Sequence, residues 1–478
     1  MIRKIWGLVI TGVLVSVILI EGQVFAAGEK IVVFRDGISS QVQQATVAAV
    51  ALLLNPLHPE KAITVAHTLS FINALAIVVH NPDQVDKAVE LLLNYTTPLG
   101  VLPVQEVAND PVISVNPIIP ELFLPSTQTM DWGLKHIRVD VAHQEMPELD
   151  GRGVKVAILD TGVGPHRELT IVDGYNALPD GYNALLDGCI DGLKPYSDNY
   201  GHGTHMAGII AASAKNNVGI IGAAPEAQIV AVKVLNCKGK GHLSNLIKGL
   251  QWVYNYKSNP PIRLVNMSLG FSNDNSALKK AIQKLYNDGT IIVASAGNRC
   301  SDAPGQDESG GDAGEDCDTP QTTTDDTVKY PARYQWSIAV TATTIANQIA
   351  DYSVAGSRVD TAAPGGDLRS TRIFSTCVPQ LLKDKDSPYD CPWGYGDGSG
   401  TSQAAAHVTG ALALLLQQQP RIPVSQVPVQ LCQTATLLYD DDPKAPSKRE
   451  LVSARQQGCG LINVECLLAP TLRQCPTQ

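Results

Sequence analysis

Five short apolar runs, each separated from the next by helix-forming or loop segments, constrain this chain more than any other feature. The runs are Val154–Leu159, Gln228–Val234, Leu264–Met267, Thr290–Ala294 and Trp336–Val340, and the helical segments include Gly203–Ala212, Ser244–Tyr256, Ser276–Asn287 and Ser402–Gln418. Strands this apolar, alternating with helices, make a mostly parallel central sheet with helices on both faces. In such sheets, ligands and catalytic groups gather at the carboxyl ends of the strands. An α/β fold is therefore expected from residue 127 to residue 478.

The preceding region reads differently. Lys30–Phe34 is strand-like, Gln41–Leu54 helical, Ile63–Leu69 and Phe71–Val79 strand-like, Asp83–Leu93 helical, and Val112–Val115 a last strand. The order β-α-β-β-α-β predicts a small α+β, ferredoxin-like domain over residues 27–126. Its last stretch, Pro117–Ser126, is a proline-containing extended linker suited to an exposed processing site.

At the amino terminus a basic head, Met1-Ile2-Arg3-Lys4, precedes an apolar run from Ile5 to Ile20 and the small-residue stretch Val24-Phe25-Ala26-Ala27. That layout predicts a signal peptide over residues 1–26, since the run is shorter than the ~20 residues of a membrane span. No later stretch reaches that length, so the mature chain is expected to be soluble, secreted or periplasmic, and free of membrane. A formal charge of −10 has the wrong sign for a nucleic-acid binder. All 10 cysteines lie from Cys189 onward. In an exported chain an even number reads as a disulfide framework, with no Cys-x-x-Cys pair to suggest zinc. Pairing is not readable from sequence, although Cys300/Cys317, Cys377/Cys391 and Cys466/Cys475 are close enough to close local loops. Residues 301–326 hold nine acids and no Lys or Arg, which reads as a solvated surface insertion or, less simply, a cation site.

Three segments carry the chemistry. Val156-Ala157-Ile158-Leu159-Asp160-Thr161-Gly162 delivers a carboxylate at the end of a buried strand. Gly201-His202-Gly203-Thr204-His205 opens a helix with a histidine flanked by glycines, leaving room for a substrate backbone. Gly398-Ser399-Gly400-Thr401-Ser402-Gln403-Ala404 puts a serine at a helix start, where backbone N–H groups and the helix dipole favour developing negative charge. Each alone has a plain structural reading as a turn or a cap. Together they meet a chemical need: a serine hydroxyl requires a base, and the base requires a carboxylate to fix its tautomer. Asp160, His202 and Ser402 fit those roles.

The region from about Gln128 to Val464 resembles the subtilisin-like serine proteases, on Asp160-Thr161-Gly162, Gly201-His202-Gly203-Thr204-His205 and Asn266-Met267-Ser268-Leu269-Gly270. Ala296-Gly297-Asn298, Gly400-Thr401-Ser402 and Gly460-Leu461-Ile462-Asn463-Val464 extend the resemblance. It implies that Asn298 and the Ser402 backbone N–H stabilise an oxyanion. It also implies that Ser268, Leu269 and Gly270, with Ala296 and Gly297 opposite, bind substrate backbone, and that Lys329 lies at the base of the specificity pocket. The N-terminal domain is similar to the family's inhibitory prodomain, best at Lys30–Gly37 and His67–Ala76. Gln403 and Ala406 stand where the family usually has Met and Pro, and neither change removes a catalytic group. A structural Ca²⁺ site is implied at Gln128, Glu168 and Asn216 with the carbonyls of Ala214, Val218 and Ile220, all oxygen donors. The expected protein is a monomeric, autoprocessed serine endopeptidase acting on proteins or peptides, with its own prodomain as inhibitor. Its rivals are a catalytically silent binding protein of the same fold and an esterase.

Overall fold

The computed structural model describes residues 28–97, 101–115, 119–120, 127–179, 194–215, 217–299, 327–368, 370–378, 391, 394–441, 449–470 and 475. The expected signal peptide, the acidic stretch 301–326, most of the linker 117–126, Asn216, Cys189, Cys300 and Cys317 lie outside the described residues. Among the described residues no helix is long and apolar enough to cross a membrane. The chain divides into two compact units, one ending at Asp110 and the other beginning at Pro111.

The first unit contains β1 (Glu29–Phe34), α1 (Ser40–Leu54), β2 (Ile63–Leu69), β3 (Ala74–Val79), α2 (Val85–Asn94) and β4 (Val104–Asn109). Its sheet is antiparallel in the order β2-β3-β1-β4. The helices cover one face, where Val47, Val50, Ala88 and Leu92 meet Val32, Phe34, Leu75 and Ile77. The β-α-β-β-α-β order is as expected, but its last strand is Val104–Asn109 rather than Val112–Val115. β4 (VQEVAN) has no clean apolar alternation; a register shift between Val33 and Phe34 pairs Phe34 with Val104, and Val104 and Val107 both reach the core.

Within the second unit, β5 (Val112–Ser114) and β6 (Ile119–Pro120) precede the large sheet. That sheet contains β7 (Lys155–Asp160), β8 (Ile171–Asn176), β9 (Gln228–Lys233), β11 (Ile262–Met267), β12 (Ile291–Ser295), β13 (Ile338–Thr343) and β14 (Thr361–Pro364), while β10 (Lys240–His242) stands outside it. The seven strands run in the order β14-β13-β12-β11-β7-β9-β8 and every pairing is parallel. The sequence located the five inner strands; of the two at the edges, β8 (IVDGYN) is half polar or glycine and β14 (TAAP) is only four small residues ending in proline, so neither stands out. Strand order reverses direction at β7, so Asp160 projects at the switch point where α/β sheets open a crevice.

Four helices, α3 (His202–Ala211), α4 (Leu243–Asn255), α5 (Ser276–Asn287) and α6 (Thr401–Gln418), begin and end within about a residue of the expected limits. Every residue of α6 from Thr401 to Leu416 is buried, so its small residues serve packing rather than solubility. A Cβ on Gly410 would lie 2.5 Å from Ala223 Cβ. Two more strands, β15 (Ile373–Thr376) and β16 (Tyr395–Gly398), pair antiparallel, and β16 also pairs with β6. Disulfides join Cys377 to Cys391, Cys466 to Cys475, and Cys432 to Cys459; Cys237 is also disulfide-bonded. The first two are the short loops expected from spacing.

Candidate active site

Asp160 is fully buried at the end of β7 and accepts hydrogen bonds on Oδ1 from the Thr161 N–H (2.7 Å) and from His202 Nδ1 (2.8 Å), which lies 2.9 Å from Oδ2 as well. An imidazole donating from Nδ1 presents Nε2 as an acceptor, the tautomer a general base requires. The approach of α3 to the strand end depends on glycine: a Cβ on Gly203 would lie 2.0 Å from the Gly162 carbonyl oxygen.

Around this pair the chain builds a buried polar frame. Asp198 accepts from the N–H groups of Tyr200 (2.9 Å) and Gly201 (2.8 Å) on Oδ1, and from Thr204 N–H (2.9 Å) and hydroxyl (2.6 Å) on Oδ2. A carboxylate held against the first turn of α3 satisfies orphan donors and opposes the helix dipole, fixing the turn that carries His202. Lys233, beside Asp160 in the β7–β9 register, donates to Thr161 carbonyl and to Asn199 Oδ1 (3.0 Å). Burial pushes its ammonium down to about 8, with Asp198 and Asp160 opposing that shift. Asp198 and Lys233 carry no motif signal, because only tertiary placement turns them inward.

Ser402 sits in the first turn of α6, and its hydroxyl donates to the Ser268 carbonyl at 3.1 Å. Among the described residues, buried His202 Nε2 has no hydrogen-bond partner. The parallel register of β11 with β7, Asn266 opposite Ile158, sets Ser268 and the serine hydroxyl that it accepts beside the strand end that carries Asp160. Asn298 accepts on Oδ1 from the Thr401 N–H (3.0 Å) and hydroxyl (2.9 Å). Those donors fix the amide orientation, leaving Nδ2 to donate on the side of Gly400, whose Cβ position is 3.1 Å away.

The Ser268–Gly270 edge is tied to Ser402 from behind, since Ser268 Oγ donates to the Ser402 carbonyl (2.9 Å) and accepts from Asn266 Nδ2 (3.0 Å). Along its open side lies the chain's own β5. Val112, Ile113 and Ser114 pair antiparallel with His242, Gly241 and Lys240, and Ser114 bridges Gly270 on the other side. Val115 N–H donates to the Gly239 carbonyl at 3.1 Å. An extended segment between two backbone edges is strand addition, the mode by which a cleft holds peptide backbone. The sequence identified one edge; the other, Gly239–His242, is a short Lys/Gly turn with nothing local to mark it.

The residues matched to calcium come together where they are described. Thr129 N–H donates to Gly219 carbonyl (2.9 Å), Gln128 N–H to Asn217 carbonyl (3.1 Å), and Gln128 Nε2 to Ser213 carbonyl (2.7 Å). Ala214, Val218 and Ile220 belong to this loop, which wraps the fully buried Glu168. Its carboxylate accepts from Tyr395 OH (2.6 Å) and Ile220 N–H (3.3 Å). A Cβ on Gly219 would lie 1.7 Å from Glu168 Oε1, so only glycine closes the loop there. A buried carboxylate amid backbone and amide oxygens is a donor set that fits calcium. Among the described residues no group of three or more His, Cys, Asp or Glu could hold a metal.

Two further histidines, His205 and His407, are wholly buried beneath the site. His205 Nε2 meets the Gly396 carbonyl at 3.1 Å, and His407 Nδ1 donates to the Gln403 carbonyl at 2.8 Å. Burial pushes them down to about 3 and about 4. Their folded-state values lie below the unfolded value of 6.5, so the unfolded chain binds more protons as pH falls through 6.5, and stability is lost toward pH 4. In a Ser402→Ala background that prevents self-digestion, unfolding by denaturant should show a loss of roughly 1.5 kcal/mol per histidine between pH 6.5 and pH 5. His407→Gln should remove its share; an unchanged pH slope would refute the assignment.

Comparison with known proteins places this geometry. The model of the subtilase family matches residues 151–460. The chain is 32% identical over 338 residues to subtilisin BL of Lederbergia lenta, covering 71% of this chain and 98% of that protein. It is 34% identical over 339 residues to subtilisin E of Bacillus subtilis (strain 168), covering 71% of each. It is 36% identical over 289 residues to the minor extracellular protease Epr of the same organism, covering 60% of this chain and 36% of Epr.

Proposed function

The chain belongs to the subtilase family, and from that membership we propose that it is a secreted serine endopeptidase, made with a signal peptide over residues 1–26 and an inhibitory prodomain that it removes itself. The observation that carries the reading is the convergence of the Asp160–His202 pair, Ser402 and Asn298 at one end of a peptide-pairing edge. Ser402 Oγ turns from Ser268 to His202, gives up its proton to Nε2 and attacks the scissile carbonyl. Asp160 holds the imidazole and stabilises the imidazolium. Asn298 Nδ2 and the Ser402 N–H bind the oxyanion, and His202 returns the proton to the leaving amine before water repeats the sequence on the acyl-enzyme. The backbone pairing favours peptides over simple esters as substrates.

Pairing of Val112–Ser114 in the cleft supports inhibition by the chain's own leading segment, with processing between Val115 and Thr127 and a mature enzyme from about residue 127. The experiment is incubation of the purified protein with a serine-directed fluorophosphonate and a peptide library, with N-terminal sequencing of the processed form. Labelling at Ser402 with peptide cleavage is expected; no labelling and no cleavage would refute the reading.

Calcium is part of the same proposal. Gln128, Glu168 and Asn216 with the carbonyls of Ala214, Val218 and Ile220 would hold the ion, which neutralises the buried carboxylate and pins the loop. A ligand bound only by the folded state stabilises it by mass action. Chelation should lower the melting temperature of the Ser402→Ala protein, with restoration by added Ca²⁺ but not by Mg²⁺. An unchanged melting temperature would exclude the site.

A further inference from the structure

We infer that Lys329 makes this cleft selective for substrates with an acidic side chain on the residue that carries the scissile carbonyl; the inference rests on the peptidase reading above. Val328–Tyr330 forms the floor between the two backbone walls, Ser268–Gly270 and Ala296–Asn298, and is stitched to both. Lys329 N–H donates to the Ala296 carbonyl (2.8 Å), while Tyr330 and Phe271 exchange hydrogen bonds of 2.9 and 3.0 Å.

The walls admit the lysine because each presents a glycine to it. A Cβ on Gly270 would lie 3.1 Å from Lys329 Cβ, and one on Gly297 would lie 2.4 Å from Lys329 Cγ. The aliphatic stem therefore lines the floor of the gap between the walls, beside Gly297 and hence next to Asn298, whose Nδ2 and the Ser402 N–H both flank Gly400. A peptide paired along Gly270, with its carbonyl at Asn298, directs the side chain of that residue into the same gap.

Charge then decides what the gap takes. The ammonium donates to Ser272 Oγ at 2.9 Å and has no carboxylate in ion-pair range among the described residues. Its one described partner is the neutral hydroxyl of the exposed Ser272, while the lysine itself is half-buried, and an incoming carboxylate can replace that hydroxyl with a charge-assisted bond. A neutral residue lacks that gain, and a cationic one meets repulsion at short range. The chain's net charge of −10 opposes anionic peptides at long range, where salt screens it, whereas the contact at Lys329 acts within the cleft.

The test uses the processed enzyme, its active sites titrated with fluorophosphonate, on peptides identical except for Glu, Gln, Phe or Lys before the scissile bond. Glu is expected to exceed its neutral isostere Gln by ~10-fold or more in kcat/KM at low salt, with the margin shrinking at 1 M NaCl. Lys329→Met should abolish the margin, Lys329→Arg should keep it, and Lys329→Glu should turn the preference toward Lys. Equal rates for Glu and Gln, or a margin that survives in Lys329→Met, would overturn the inference while leaving the peptidase reading intact. Failure of the protein both to label and to cleave would overturn the two together.

Discussion

Ser402→Ala is expected to abolish peptide hydrolysis and to leave the chain uncut between Val115 and Thr127. In the proposed mechanism the Ser402 hydroxyl forms the acyl-enzyme, because His202 and Asp160 would supply a base and its support but no bond to carbon. The loss should be about 10⁶-fold in kcat, a magnitude carried over from the nucleophile of a related subtilisin. What activity persists would come from the oxyanion donors and from holding the substrate. Intact mass and N-terminal sequencing of the variant, beside the parent, read both consequences at once. Normal self-processing in the variant would show that Ser402 is not the nucleophile or that another protease makes the cut. Purified protein incubated alone separates those explanations. His202→Ala should cost nearly as much, since removing the base strands the hydroxyl on the Ser268 carbonyl, where it sits now.

Asn298→Ala is expected to lower kcat by ~10²- to 10³-fold with little change in KM, a magnitude taken from the corresponding side chain of a related subtilisin. The structure supplies the reason for the division. Thr401 holds the amide oxygen through two hydrogen bonds, so Nδ2 is presented before any substrate arrives. A donor already in place is most useful to the charge that appears when the carbonyl becomes tetrahedral, and does little for the ground-state carbonyl. Steady-state kinetics on one good peptide measures both constants. A large rise in KM at unchanged kcat would assign Asn298 to substrate binding instead.

The sequence by itself determined the inner five strands and the four helices, and it singled out Asp160, His202 and Ser402 as candidates. Apolar runs spaced by helical segments admit few packings other than a covered parallel sheet, and Asp160, His202 and Ser402 each stand where a strand ends or a helix begins, positions that local pattern reveals. Asn298 and the Ser268–Gly270 edge were singled out through resemblance, because their motifs are short but ordered along the chain.

Tertiary structure decided what depended on partners distant in sequence. Val112–Ser114 is a strand as its residues suggest, yet it pairs with Lys240–His242 and Gly270 instead of closing the small sheet, since extended backbone specifies a conformation but not the edge that will satisfy it. Val104–Asn109 took the vacant place beside β1 although its own pattern is weak. Asp198 and Lys233 became the frame of the Asp160–His202 pair only because the ends of β7 and β9 lie side by side. Lys329, one polar residue before a Tyr-Pro pair, acquired a place in the cleft because Gly270 and Gly297, far apart in the chain, both leave room beside its stem.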